Sequence, residues 1–205
     1  FDKDKYTDYL GNITEIQDNY FVLNISNNFL VDPRTFSCSS IFIPEFCKDI
    51  ESVINNLDLE HLDCYKNMDE LQMSFLKFAN SVPFYGKVAV CIDHENTREI
   101  IPQIKRPVAT FGTHKEANYR AENLSYENVK TQFDLRINGE FIDNIILNIP
   151  GIHNVQNALG AIAIADELNI PIEKIKSGLA QYTGVRRRFQ IVEKMKDGTV
   201  LVDDY

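Results

Sequence analysis

The sequence predicts an α/β fold, in which helices flank a mostly parallel sheet and a small antiparallel hairpin sheet is added. Short apolar runs alternate with amphipathic segments between residues 53 and 111, which is typical of β-α-β units. Asn138-Gly139 lies between two alternating runs and strongly favours a hairpin, because both turn residues adopt positive φ. Potential ligands crowd after the apolar run that begins at Val53, where a parallel sheet binds its ligands.

The composition limits the size of the fold and its partners. A chain of 205 residues fits one large domain or one and a half. Its net charge of -9 and pI near 4.9 oppose attraction to nucleic acid and to anionic lipid. No apolar run approaches the ~18–20 residues of a membrane helix, so membrane insertion is not expected. The four cysteines lack CxxC spacing, which favours reduced thiols and a cytoplasmic location over a zinc site or disulfides.

Residues 1–50 carry the weakest pattern and are expected to be irregular or divergent. Short strands are predicted at 20–23 and 29–31, with an Asn-rich turn between them. No steady period follows between Asp32 and Asp49, which predicts loops. The chain begins without Met and ends on an apparent strand, so both ends are expected to be cut from a longer protein.

Residues 53–112 predict two β-α-β units. The first strand begins at Val53, and a helix is predicted from Asp69 to Ser81 because apolar residues recur there three and four positions apart. The Pro83-Phe-Tyr-Gly86 segment ends this helix. The remaining predictions are a strand at 87–92, a short helix at 95–104 and a strand at 107–111 that Gly112 closes.

A hairpin, two helices and two strands are predicted in the rest of the chain. A helix from Pro150 to about Leu168 carries Ala158, Ala161 and Ala165, which allow close approach of another element. The other predictions are hairpin strands at 131–137 and 140–149, a helix at 172–182 with Ile175 and Leu179 inward, and strands at 190–195 and 199–202.

A first candidate site follows the strand at residue 53. His61 with Glu60, Asp58 and Asp63 offers nitrogen and oxygen ligands suited to Mg²⁺ or Mn²⁺. The plainer interpretation is a solvated acidic loop that contains one incidental histidine.

A second candidate site lies at the start of the helix after Pro150. His153, Asn154 and Asn157 there form either an N-cap with a polar first turn or a reader of a planar base. Asparagines one turn apart can present paired donors and acceptors to the edge of adenine. The spacing fits adenine recognition and does not require it.

A third candidate site combines a basic triplet with the carboxylates at the end of the last strand. Arg186, Arg187 and Arg188 follow a glycine at a helix end, and they either form solvated surface or clamp a phosphate. Asp203 and Asp204 could accept hydrogen bonds from ribose hydroxyls. Together the three sites describe a site for a nucleotide with Mg²⁺. No GxxxxGK[ST] occurs, so the chain is expected to begin downstream of its phosphate loop.

Five sequence blocks resemble the Mur ligases and occur in the order of that family. They are residues 55–63, 83–86, 150–158, 184–189 and 202–205. The resemblance implies that residues 1–205 form the central, P-loop NTPase-like ATP-binding domain, truncated before its P-loop and before its C-terminal domain. It is strongest to the members that join L-alanine to UDP-N-acetylmuramate in peptidoglycan synthesis.

The resemblance also implies roles for the candidate residues. ATP phosphorylates the substrate carboxylate, and the amine attacks the acyl phosphate to form an amide. The implied roles are Mg²⁺ ligand for His61, substrate side for Asn56, adenine contact for His153, Asn154 and Asn157, phosphate contact for the triplet, above all Arg187 or Arg188, and ribose contact for Asp203 or Asp204.

Two departures from the family pattern limit the expected activity. The family's Glu-Ala-Asp-Glu segment, which supplies a second Mg²⁺ ligand, is replaced by Phe29-Leu-Val-Asp-Pro-Arg-Thr-Phe36, in which Asp32 could stand in. The phosphate loop, the N-terminal UDP-binding domain and the C-terminal domain are also not in the sequence, so the isolated chain is expected to be inactive. The alternatives are a degenerate, non-catalytic fragment, a ligase that recycles murein tripeptide, and an unrelated metal-dependent hydrolase centred on His61.

Overall fold

Within the residues that the structure describes, eight strands in chain order form one mixed sheet, and two further strands form an antiparallel pair. The computed structural model describes residues 13–16, 20–25, 52–58, 65–127, 129–184, 190–195 and 200–203. The sheet contains β1 Ile13–Ile16, β2 Tyr20–Ile25, β3 Ser52–Ile54, β4 Val88–Cys91, β5 Val108–Gly112, β6 Tyr119–Glu127, β7 Lys130–Ile137 and β8 Glu140–Leu147. The separate pair is β9 Gln190–Lys194 and β10 Val200–Asp203. The helices of the described part are α1 Met68–Ser81, α2 Glu95–Ile100, α3 Ile152–Glu167 and α4 Ile172–Gln181.

The pairing of the strands confirms the predicted α/β class. The four pairs from β2–β3 to β5–β6 are parallel. Antiparallel pairing joins β1 to β2, β6 to β7 and β7 to β8. The sheet is therefore parallel at its centre and antiparallel at both margins.

Strand β6 was not predicted, and it changes the place of the hairpin. It pairs with β5 at Phe111 and Tyr119 and then with β7, so the hairpin extends the main sheet and is not a separate small sheet. Its register shifts between Glu122 and Ser125, and Asn123 has a φ of 51°. This irregularity interrupts the alternation that would have identified the strand from sequence.

Further differences from the prediction concern a turn, a strand and a helix. The turn expected from Asn24 is wrong at its start, because β2 continues through Asn24 and Ile25, which pair with β3. Strand β1 was not predicted. Helix α2 ends at Ile100 and continues as a 3-10 turn at Ile101–Gln103, because Pro102 cannot extend an α-helix. The strand predicted at 29–31 lies outside the described residues.

The two faces of the sheet are covered by different helices. Side chains alternate along β4, so Ala89 and Cys91 pack with α3 while Val88 and Val90 pack with α1. Burial on both faces explains why the central strands read as continuous apolar runs. Helix α3 comes close to the sheet at Gly160, where a Cβ atom would lie 2.9 Å from Cγ1 of Val53 and 3.2 Å from Cζ of Phe111.

Candidate functional site

Polar residues gather where the central parallel strands end. Asn55 and Asn56 follow β3, Asp93 follows β4 by two residues, and Thr113 follows β5. Helix α3 begins beside them, since its side chains contact residues at the ends of β3 and β4. This carboxyl edge is the position at which parallel α/β sheets bind ligands.

A hydrogen bond between two amides joins β3 to α3. Asn55 Nδ2 donates to Oδ1 of Asn157 at 2.8 Å, although the two residues are 102 positions apart. Asn55 is buried, and its neighbour Asn56 is half-buried and donates to Oδ2 of Asp58 at 2.9 Å. The structure therefore brings together the predicted strand-end motif and one residue of the predicted adenine motif.

The carboxylate of Asp93 joins three segments at this edge. It accepts the backbone N–H of Thr113 at 2.7 Å and the backbone N–H of His114 at 2.9 Å. It also accepts Nε2 of Gln156 in α3 at 2.9 Å. Hydrogen bonds to an ionised acceptor are among the stronger ones in proteins, so Asp93 ties the end of β5 and the start of α3 to the end of β4.

Gly112 makes room for the Asp93 carboxylate. Its φ is +145°, and a Cβ atom added there would lie 2.3 Å from Oδ1 of Asp93. No side chain fits at that distance without displacing the carboxylate. The glycine that was predicted only to close β5 is therefore required for the arrangement around Asp93.

The start of α3 is formed by backbone conformation and not by a side-chain cap. The N-cap residue is Gly151, with a φ of 103° and no side-chain hydrogen bond to the helix. Asn154 Nδ2 instead donates backwards to the carbonyl oxygen of Pro150 at 2.6 Å, and His153 is exposed. The N-cap part of the plainer interpretation is therefore wrong, but its polar first turn is present. His153 and Asn154 lie in the first turn of the helix and Asn157 in the second.

Several predicted site residues lie outside the described part of the chain, so their predicted roles stay predictions. They are Glu60, His61, Asp63, Arg186, Arg187, Arg188 and Asp204. Asp203 ends β10, and only its backbone is described. Asn56 and Asp58 offer oxygen atoms that suit Mg²⁺. Within the described residues, however, no group of three or more His, Cys, Asp or Glu side chains is arranged for a metal ion.

Sequence reasoning missed Asp93 and Gln156, and it assigned no role to Asn55 within its block. Asp93 follows an apolar run in the same way as Asn55 and Asn56 do, so the strand-end rule applied to every predicted strand would have found it. Gln156 lies between Asn154 and Asn157, and nothing in its local sequence sets it apart. Its partner is 63 residues away, which only the fold reveals.

A buried thiol lies close to this edge and is not a nucleophile. Burial raises the pKa of the Cys91 thiol from 9.0 to about 12, so the thiolate is scarce at neutral pH. Its side chain packs in the core that α3 covers.

Across the described ranges, no helix is long and apolar enough to cross a membrane.

Known proteins resemble this chain in sequence. A family model described as the Mur ligase middle domain matches residues 43–165. A UDP-N-acetylmuramate--L-alanine ligase of Salinibacter ruber is 43% identical over 154 residues, which are 75% of this chain and 32% of the relative. The ligase of the same name from Chlorobium phaeobacteroides strain DSM 266 is 43% identical, with 75% and 33% covered. The chain thus spans about a third of the length of these relatives.

Solved structures resemble the chain at the level of the fold. The UDP-N-acetylmuramate-alanine ligase MurC of Thermotoga maritima has a TM-score of 0.64 and 27% identity, over 76% of this chain and 34% of that chain. A MurF of Acinetobacter baumannii has a TM-score of 0.66 and 24% identity, over 75% and 33%. A MurF of Thermotoga maritima, solved in complex with ADP, has a TM-score of 0.62 and 15% identity, over 76% and 34%.

Proposed function

The chain belongs to the Mur ligase family, whose middle domain it contains, and we propose that it is the nucleotide-binding part of a UDP-N-acetylmuramate--L-alanine ligase. Residues 1–205 are then the central domain of a longer enzyme that acts in peptidoglycan synthesis. The domains that would bind the UDP-sugar and the amino acid lie in other parts of that enzyme. The isolated chain is proposed to bind ATP and to lack ligase activity.

The observation that carries this proposal is the hydrogen bond between Asn55 and Asn157. Each residue belongs to a different family block, and the fold joins the two blocks at the carboxyl edge of the sheet. A chance match of short motifs would leave them on unrelated surfaces. The edge is also where a sheet of this class binds nucleotides.

The described residues have distinct tasks in the proposed reaction. His153, Asn154 and Asn157 hold the adenine on the first turns of α3, and Asn56 lies on the side of the carboxylate substrate. A carboxylate oxygen of UDP-N-acetylmuramate attacks the γ-phosphorus of ATP, and ADP leaves. The amine of L-alanine then attacks the acyl carbon, phosphate leaves and the amide bond forms.

The roles of the remaining residues are proposed from the family blocks alone. His61 would hold Mg²⁺, Arg187 or Arg188 would contact the phosphates beside Arg186, and Asp203 or Asp204 would hold the ribose. When bound, Mg²⁺ offsets the negative charge of the transferring phosphoryl group. Each of these residues has a side chain suited to that task.

A thermal-shift titration of the 205-residue chain tests nucleotide binding. A ligand in excess stabilises the folded state by RT ln(1 + [L]/Kd), about 2.7 kcal/mol at one hundred times Kd. We expect Mg-ATP and ADP to raise Tm more than GTP does, because the amides of α3 read the adenine edge. The absence of any shift at millimolar nucleotide would contradict the proposal and favour the degenerate fragment.

An exposed residue of the motif provides the matched variant. His153→Ala should reduce the Tm rise produced by Mg-ATP and leave the Tm of the free chain unchanged, because His153 is exposed. Lys174→Ala, at an exposed position of α4, should change neither value. Equal nucleotide shifts in both variants would exclude His153 from the site.

Phosphate release by the longer enzyme separates the ligase from a hydrolase. The ligase should release phosphate only when ATP, UDP-N-acetylmuramate and L-alanine are all present. A metal-dependent hydrolase centred on His61 would release its product without ATP. Phosphate release with murein tripeptide in place of L-alanine would identify the recycling ligase.

A further inference from the structure

Helix α3 is held to the sheet by side chains at two consecutive positions. Gln156 Nε2 donates to Oδ2 of Asp93 at 2.9 Å, and Oδ1 of Asn157 accepts Nδ2 of Asn55 at 2.8 Å. Asp93 follows β4 and Asn55 follows β3, so the two bonds lead to different strands. Consecutive residues of an α-helix project about 100° apart, so the two bonds together fix the rotation of α3 about its axis.

The acceptor of the Gln156 bond is itself held in place. Both oxygen atoms of Asp93 accept the backbone N–H of Thr113, at 2.7 and 3.0 Å, and Oδ1 also accepts the backbone N–H of His114 at 2.9 Å. The carboxylate is half-buried against Gly112, where even one Cβ atom would clash. Its orientation is therefore fixed by the end of β5 independently of its contact with Gln156.

We propose that Asp93 is a positioning residue, which orients the first turns of α3 through Gln156 and so sets the geometry of the nucleotide site. It acts through another residue and does not touch the nucleotide itself. The nucleotide part of this inference rests on the proposed function. The orienting of α3 is a property of the chain alone and has its own measurement.

Gln156→Met tests the inference with the least damage to the fold. It keeps the length of the side chain and removes its amide, which holds the donor to Asp93, while the contacts of Asp93 to Thr113 and His114 remain. We expect amide hydrogen exchange to become faster in the first turns of α3 and to stay unchanged in α4. We also expect the Kd for ADP to rise on the order of tenfold, since one hydrogen bond to a charged group is lost.

Gln181→Met is the matched control, because Gln181 is an exposed glutamine at the end of α4 whose amide donates to Ser177 of the same helix. It should leave both the exchange in α3 and the Kd for ADP unchanged. Asp93→Asn is the second variant. An amide at this position loses one of the two acceptor oxygens, so exchange should become faster at Thr113 and His114 as well as in α3.

The outcomes separate this inference from the proposed function. Unchanged exchange in α3 for both Gln156→Met and Asp93→Asn would overturn the inference, whatever the nucleotide data show. Faster exchange with an unchanged Kd for ADP would reduce Asp93 to a purely structural residue and overturn its role at the site. If the unmodified chain binds no ADP, the proposed function falls and takes the nucleotide part of the inference with it, while the exchange data still decide whether Asp93 orients α3.

Discussion

The parallel half of the sheet (β3 to β5 with α1 and α3) and the antiparallel wing (β6 to β8) are built in different ways. Strands in the parallel half have three to five residues, and β3 and β4 are buried throughout. Strands of the wing have eight or nine residues, and β7 alternates between buried and exposed positions over its first half. The parallel half is covered on both faces, whereas one face of the wing meets solvent.

The polar contacts of the two regions also differ in how far apart along the chain the bonded residues lie. In the parallel half they join distant residues, such as Gln156 and Asp93, which are 63 positions apart. In the wing several join neighbouring strands, such as Arg136 with Glu122, which are 14 positions apart. The wing also bonds to two helices, through Tyr119 to Asp166 of α3 and through Asp143 to Lys176 of α4. The bonds between neighbouring strands of the wing therefore follow from local pairing, whereas the site forms only when segments far apart in the chain come together.

Replacement of a core residue of the wing tests whether the two regions are one folding unit, and it should destabilise the chain more than any other change below. Phe133 of β7 is fully buried and belongs to the same core cluster as Phe111 of β5 and Leu159 of α3. We expect Phe133→Ala to lower the free energy of unfolding by about 3–5 kcal/mol. Urea unfolding followed by circular dichroism should show one transition, and hydrogen exchange should become faster in β4 as well as in the wing.

Phe141→Ala is the control for this change, because Phe141 is a phenylalanine of the same wing that is 56% exposed. Its loss should cost at most about 1 kcal/mol, the size of a cross-strand pair. Two separate transitions for Phe133→Ala, or unchanged exchange in β4, would mean that the regions fold independently.

The next effect tests the close packing of the parallel half. Gly160→Val would place a branched side chain against Val53 and Phe111, which already lie within 3.2 Å of an added Cβ atom. We expect the free energy of unfolding to fall by about 1–3 kcal/mol, because overpacking forces α3 away from the sheet. Gly178→Val is the control, since Gly178 also lies in a helix and a Cβ atom added there would have no contact within 4 Å. If the two variants have equal Tm values, α3 is not closely packed at Gly160.

The sequence predicted the elements of both regions better than it predicted the site. Apolar periods and Asn138-Gly139 are local signals, and they located β3 to β5, the hairpin and α3. The bulge near Asn123 concealed β6 because it breaks the alternation. Gln156 was missed for a different reason, since its importance lies in a contact with Asp93 that no local pattern encodes. Asp93 itself follows a predicted strand, so the strand-end rule could have located it.

A smaller effect follows from the buried thiol of the parallel half. The pKa of the Cys91 thiol is raised from 9.0 to about 12 by burial, so above pH 9 the unfolded chain loses the thiol proton first. The unfolded state then binds fewer protons, and the free energy of unfolding should fall as the pH rises from 9 towards 12. Cys91→Ala should remove this part of the pH dependence. An equal slope in the unmodified chain and in the variant would contradict the shift.

The smallest effect is expected from the ion pairs on the exposed face of the wing. Glu122 binds Arg120 of its own strand and Arg136 of the neighbouring strand, and about a third of its side chain is exposed. We expect Glu122→Gln to cost about 0.2–1 kcal/mol at low salt and less at 1 M salt, because solvent and salt screen such pairs. Glu127→Gln, at an exposed position of β6, is the control and should show no loss. Urea unfolding at both salt concentrations measures the difference. A loss as large as that of Gly160→Val would mean that the wing depends on its charges as strongly as the parallel half depends on its packing, and the contrast between the two regions would not hold.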